Sequence, residues 1–291
     1  MAVFTLPPEM IGFYKKHVAY LQEASVNPDR RRYAVPEEGP RHYIDLERYG
    51  DSAAWKLPRT LGEARKILTD DTLQTHGSLP WHLARVHGSL RDAFAVRDVD
   101  RILRLSAELG HYVADAHVPL HTTTNYDGQL TGQVGIHALW ESRLPELFHE
   151  RYQFWVGSAV YIPDVQKYAW DVVQGTHLLV DSVLRMERQV RARLGEEKYG
   201  FETKGKQTAR VVAPGYAAAY HAALDGMVER QMRKSVRTLG CFWYTAWVDA
   251  GQPDLKALLD YTPTEEELRL RREELAKWKA KRFGARPHEQ E

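Results

Sequence analysis

Residues 111–141 read HYVADAHVPLHTTTNYDGQLTGQVGIHALWE. Four histidines fall in this stretch, and two of them have a carboxylate four residues on: His111 with Asp115, and His137 with Glu141. That spacing puts each pair on one face of a helix. Pro119 ends the first helix, because its ring lacks a backbone donor and clashes with the preceding turn, and His121 follows at the break. A loop containing Gly, Thr and Asn leads to the second pair. Two helical pairs and a residue at a helix end can converge on one cleft, which is how a multi-zinc site is built in a helical protein. One His–Asp pair alone reads as a hydrogen bond inside a core. Two pairs flanking His121 favour metal ligands. His117 lies two residues from Asp115, off that face.

The rest of the chain sets bounds on what such a cleft could serve. It has 291 residues, 43% hydrophobic, with mean hydropathy −0.51, the profile of a globular protein with a sizeable core. Forty basic and 39 acidic side chains leave a net charge of +1, which makes no general electrostatic case for nucleic-acid or membrane-surface binding. The single cysteine, Cys241, rules out an internal disulfide framework. No apolar run approaches the roughly 20 residues of a membrane helix. The opening MAVFTLPPEM lacks the basic start and long apolar core of a signal peptide.

Upstream of the His-rich stretch, Ile11, Tyr14, Val18 and Leu21 recur at helical steps, and residues 27–50 read as a polar, proline-broken loop. The Arg30–Arg32 run reads as solvated surface, with a phosphate contact as the sharper alternative. Asp45 sits in the segment RHYID among aromatic and apolar neighbours, which suits a paired or metal-bound carboxylate, or else a helix N-cap. His76, His82 and His87 read individually as surface or capping residues. Asp98 caps a helix whose stripe is Ile102, Leu105, Leu109 and Val113, and His111 and Asp115 close it.

Downstream, residues 164–194 form a long amphipathic helix, 195–207 a charged loop, and 208–249 one or two further helices ending in the aromatic segment FWYTAWVDAG. Thr264 with Glu267 makes a capping box for a last helix of dense opposite charges. The reading is all-α: one helical domain over 1–262 with a metal cluster between helices, then a charged helical tail over 263–291, partly disordered.

HYVADAHVPLH followed by GIHALWE resembles the zinc-dependent phospholipase C superfamily, which also contains single-strand-specific zinc nucleases. Its pattern is H-x3-D-x5-H, then H-x3-D/E, preceded by an Asp in an H-[FY]-I-D segment and an earlier His. Those positions are His111, Asp115, His121, His137 and Glu141, with RHYID supplying Asp45. The likeness covers residues 1 to about 250. For the earlier histidine, His76, which precedes a glycine, is preferred to His82.

The resemblance implies two Zn2+ ions, one held by Asp45, His76, His111 and Asp115, the other by His121, His137 and Glu141. Imidazole nitrogens and carboxylate oxygens without thiolate suit zinc. It implies hydrolysis of a phosphodiester by a water activated between metals about 3.5–4 Å apart. Asp45 and Asp115 are the carboxylates expected to serve catalysis. The substrate is a phospholipid or a nucleic acid, with no stable protein partner. Tyr126 and Trp140 are the leading substrate-binding aromatics, with Tyr43 and Trp81 as further candidates. The phospholipase C reading leads, because the secreted nucleases of this group usually carry cysteine pairs; a single-strand nuclease is the alternative.

One departure stands out. In the family, the mature chain begins with a tryptophan whose amino group, with a histidine soon after, helps bind a third zinc. Here the first tryptophan is Trp55 and the first histidine, His17, lies in the helical segment KKHVAYLQ. Either the chain uses two metals, or Met1 is an internal start with that segment and an export signal upstream. The second case implies a secreted or periplasmic protein, the first a cytoplasmic one. A non-catalytic zinc-binding protein is the reading from another class.

Overall fold

The computed structural model describes residues 1–204 and 207–280. The chain begins with α1 (Pro8–Lys16), α2 (Val18–Ala24) and α3 (Asn27–Arg31), then the short α4 (Ala53–Lys56), α5 (Leu61–Ala64) and α6 (Asp70–His76). Two long helices follow, α7 (Leu79–Ala95) and α8 (Val99–Asp115). After the His-rich segment, with α9 (Ile136–Ala138) and α10 (Leu144–Phe148), come α11 (Val165–His177) and α12 (Val180–Leu194). A hairpin, β1 (Tyr199–Lys204) with β2 (Gln207–Val212), precedes α13 (Pro214–Ala223), α14 (Met227–Asp249) and α15 (Glu265–Lys279). The molecule is mostly helical, as the periodicity predicts.

The hairpin is the difference from an all-helical expectation. β1 and β2 pair antiparallel, Tyr199 opposite Val212 and Lys204 opposite Gln207. The segment lies outside the core, with Phe201 76% exposed. No half-buried face forces apolar and polar residues to alternate along it, so the usual strand signature is missing.

The buried side chains form two cores. The first gathers α7, α8, α11 and α14, with Leu90, Phe94, Ile102, Leu109, Trp170 and Phe242 all but inaccessible. The second gathers α10, α12 and α13 around Ile136, Leu139, Leu144, Val183, Tyr216 and Tyr220. Burying side chains of this size is worth about 1.5–3 kcal/mol each, so both cores hold their elements firmly. The seam between them is the stretch 116–136: Ala116 belongs to the first core, Val118 and Leu120 to the second. His121 lies in that stretch, and Asp115 and His137 flank it.

Local rules explain the supporting elements. Asp98 caps α8 by accepting from the Arg101 amide at 3.1 Å. The Thr264 and Glu267 capping box of α15 is formed. No residue of α15 is buried, yet Arg271 pairs with Asp100, and the Arg31 guanidinium lies 5.8 Å from the Trp278 ring centre. The expected disordered end after residue 280 lies outside the described residues. Among those described, no helix is long and apolar enough to cross a membrane.

Candidate metal centre

His121, His137 and Glu141 form one group. Their ligand atoms stand close together: His121 Nε2 to His137 Nε2 is 3.2 Å, His137 Nε2 to Glu141 Oε2 is 2.7 Å, and His121 Nε2 to Glu141 Oε2 is 3.3 Å. The other nitrogen of each ring is engaged by a backbone carbonyl. His121 Nδ1 donates to the carbonyl of His42 at 2.6 Å, and His137 Nδ1 donates to that of Tyr126 at 2.9 Å. A carbonyl only accepts, so both rings carry a proton on Nδ1. Both Nε2 atoms therefore face each other, and the Glu141 carboxylate, with lone pairs. Three converging acceptors repel unless a cation, a proton or a metal ion, lies among them. Burial would raise the Glu141 carboxyl, but the two histidines outweigh it and hold the group well below the carboxylate range.

The helical context of this group carries its own signal. Residues Leu139–Arg143 make a π turn between α9 and α10, and Glu141 sits in it. Such turns interrupt the α pattern at some cost and concentrate at functional sites. The preceding loop is pinned by Asp127, whose carboxylate accepts from the amides of Gly135 at 3.0 Å and His137 at 3.2 Å. His137 is thus fixed at its backbone and at its ring.

A second group lies on the other side of the seam. Asp29, His42 and His111 converge, and Asp115 joins them. His42 Nδ1 is 3.0 Å from His111 Nε2 and 3.0 Å from Asp115 Oδ2. His111 Nε2 is 3.3 Å from Asp29 Oδ1 and 3.5 Å from Asp115 Oδ2. Zinc with nitrogen and oxygen ligands at about 2.0–2.2 Å in a tetrahedron needs ligand–ligand separations of about 3.3–3.6 Å. Contacts within the two groups run from 2.7 to 3.8 Å, so a small divalent cation would be accommodated by shifts of about half an ångström.

Electrostatics at this second group run the same way. Burial opposes the charged form of His42, but the Asp115 and Glu38 carboxylates outweigh it and raise the ring to about 9. His111 is raised too, by Asp115 and Asp29 against burial. Asp29 is depressed despite its burial, by His111, Arg32 and His42.

Behind His42 is a buried carboxylate that sequence patterns do not show. Glu38 is fully inaccessible, and its Oε1 is 3.7 Å from His42 Nε2. It accepts from Arg31 Nε at 2.8 Å, Arg31 Nη2 at 3.1 Å and the Tyr112 hydroxyl. Arg31 also reaches Glu108 at 2.7 Å. Arg31 is thus an internal strut, not the solvated surface expected of the Arg30–Arg32 run. A carboxylate behind a histidine ligand orients the ring and raises its basicity.

Five of the seven expected ligands are brought together: His111 and Asp115 in one group, His121, His137 and Glu141 in the other. His42 and Asp29 complete the first group. His76 lies at the end of α6, its ring 6.0 Å from Tyr49. Asp45 is buried, and its amide donates to the His76 carbonyl at 2.8 Å. It occupies the N-cap position of a 3-10 turn (Leu46–Tyr49) without a side-chain cap bond. Neither Asp45 nor His76 belongs to the two groups found among the described residues. The segment 42–45 nevertheless joins both: His42 is a member of one, and its carbonyl and the Ile44 amide bond His121 of the other.

Of the aromatic candidates, Tyr126 is half-buried, and its carbonyl holds His137. Trp140 is 3% exposed and packs in the second core, so little of its ring is open to a substrate. Trp81 is buried as well, its indole bonded to the Pro58 carbonyl at 2.9 Å. A cavity of about 260 Å³ adjoins Glu141, with Ala114, Val118, Trp140, Phe154 and Met232 on its walls.

No family model matches the chain, and no curated protein matches it.

Proposed function

We propose that this protein is a zinc-dependent phosphodiester hydrolase of the phospholipase C type. The observation that carries the reading is the convergence of His121 Nε2, His137 Nε2 and a Glu141 oxygen, all presenting lone pairs to one point. The neighbouring group of Asp29, His42, His111 and Asp115 supplies a second cation position, and the spacing HYVADAHVPLH…GIHALWE is that of the superfamily. Nitrogen and oxygen ligands without sulfur suit zinc as they suit other first-row divalent ions, and the resemblance selects zinc among them. Bound there, zinc would supply Lewis acidity toward a phosphoryl oxygen and an acidified water.

The chain's own residues do the rest. The carbonyls of His42 and Tyr126 fix the tautomers of His121 and His137. Asp127 fixes the loop that delivers His137. Glu38 stands 3.7 Å behind His42 Nε2 and favours positive charge on the ring. The cavity beside Glu141, walled by aliphatic and aromatic side chains, supports a substrate with an apolar body, hence a phospholipid ahead of a nucleic acid.

The test is a metal count paired with a substrate panel of phosphatidylcholine vesicles, single-stranded DNA and RNA. Two zinc ions per chain and release of a phosphorylated head group are expected. Cleavage of the nucleic acids alone would replace the phospholipase reading with the nuclease one. Two bound zinc ions with no hydrolysis between about pH 5 and 9, where a zinc-bound water ionises, would make the protein a non-catalytic zinc binder.

A further inference from the structure

A cavity of about 310 Å³, lined by no residue of the two candidate metal groups, opens between α5, α6 and α7. Arg41, Arg65 and Arg85 all contribute to its lining, and Leu61, Leu73 and Trp81 give it an apolar floor. The N-terminus of the seventeen-residue α7, with its Ser78 cap, borders it as well, adding the positive end of a helix dipole.

The three guanidinium groups are unequally neutralised. Arg41 pairs with Glu38, and Arg65 with Asp70 at 3.0 Å. Glu37 also borders the cavity. Arg85 has no carboxylate partner among the described residues; its recorded contact is Nη2 to His82 Nδ1 at 2.9 Å. Partial desolvation and the nearby Arg41 charge lower its guanidinium below the ordinary arginine value, so the cluster is mutually repulsive.

The histidine that meets Arg85 is itself packed edge-on against Tyr112. A guanidinium only donates, so His82 Nδ1 accepts from Arg85 and the ring proton is on Nε2. That Nε2 is buried and has no acceptor. His82 is 6% exposed and borders the cavity. Arg85, whose guanidinium meets only a histidine nitrogen, stands with Arg41 and Arg65 on one concave wall and lacks an acceptor that carries negative charge.

We propose that this cavity is an anion site for a phosphate monoester group. Arg85 and Arg65 hold the phosphate oxygens, and any organic body it carries lies on Leu61, Leu73 and Trp81. Guanidinium forks match phosphate oxygens in pairs, and the cavity is larger than a bare phosphate requires. The shared chemistry is the phosphate dianion, free or esterified. The site is separate from the metal groups and does not rest on the hydrolase reading.

The experiment is calorimetric titration of the full chain with inorganic phosphate and with glycerol phosphate, alongside the Arg85→Met variant. Arg85→Met keeps the side-chain bulk without the charge and should weaken binding about tenfold or more. Gln74→Glu, at the exposed rim, should weaken it similarly by adding a like charge while every arginine stays. The His137→Ala chain should still bind, which separates this site from phosphate held at a metal. Tighter binding of glycerol phosphate than of phosphate identifies a phosphomonoester; the reverse identifies the free ion. Unchanged isotherms in both Arg85→Met and Gln74→Glu, or phosphate binding that disappears with His137→Ala, would overturn the proposal.

Discussion

At the scale of single residues, the tautomer of each histidine decides the chemistry. His121 and His137 spend their Nδ1 protons on backbone carbonyls and so turn two lone pairs on Glu141 and each other. His137→Ala should therefore lower the zinc content from two ions per chain to one, read by elemental analysis after dialysis. His42→Ala should do the same at the other group, whereas His76→Ala should retain both ions; the opposite pattern would restore His76 as the ligand. Glu38→Gln tests the buried carboxylate behind His42. It leaves Arg31 and Arg41 short of charge in a buried network, a loss of about 3 kcal/mol in denaturant unfolding. Zinc affinity should fall by about tenfold. The sequence made the helical ligands legible because residues four apart on a helix share a face whatever surrounds them. Asp29, Glu38 and His42 were not legible in the same way. They lie in the proline-broken stretch 27–50, where no period relates one position to the next, and only the fold brings them to α8. The one usable sign was His42 itself, three residues before Asp45 in RHYID.

Among the elements, the short segment 42–45 carries more than its length suggests. It bridges α6 and the His121 turn through Asp45 to His76 and Ile44 to His121 backbone bonds, and it delivers His42. Gly77 makes the approach possible. It forms an isolated bridge with Ile44 at φ +86°, and a Cβ there would lie 2.2 Å from the Tyr43 carbonyl oxygen. Gly77→Ala adds both a backbone strain and a clash that no side-chain rotation relieves. It should cost about 2 kcal/mol or more in thermal or denaturant unfolding. Because the displaced segment touches both metal groups, zinc should be weakened at each. A Gly77→Ala chain with wild-type stability and two tightly bound zinc ions would show that the segment does not position the groups. Elements with one buried face, such as α8 and α11, followed from periodicity. The π turn at Leu139–Arg143 did not, since a single widened turn leaves the local spacing of His137 and Glu141 unchanged. The hairpin was hidden because it meets the core only along Val212 and through Arg143, which leaves no alternating apolar face.

For the whole molecule, the cost of burying titratable groups shows up as acid sensitivity. His82 and His87 were expected at the surface, and both are buried in α7, 6% and 5% exposed. Burial lowers the His87 ring to about 4, helped by Arg91 and opposed by Asp249. It lowers His82 as well, reinforced by Arg85. Both are therefore neutral in the folded chain at pH 6.5, where an unfolded chain is half protonated. As pH falls from about 6.5 toward 4, the unfolded state takes up protons that the folded state refuses, and stability drops. The slope reaches about 1.4 kcal/mol per pH unit for each such histidine. Above pH 7 both states are neutral and the contribution is flat. His87→Gln removes one of the two groups and keeps a polar side chain of similar size. Its unfolding free energy should fall less steeply between pH 6.5 and 4, by a total of about 2–3 kcal/mol relative to the parent. Urea unfolding at stepped pH measures the difference directly, and carboxylate protonation, common to both chains, cancels. Parallel curves for the two chains across that range would show that His87 is hydrated in solution and that α7 is less tightly sealed against α14 than its contacts with Phe242 indicate.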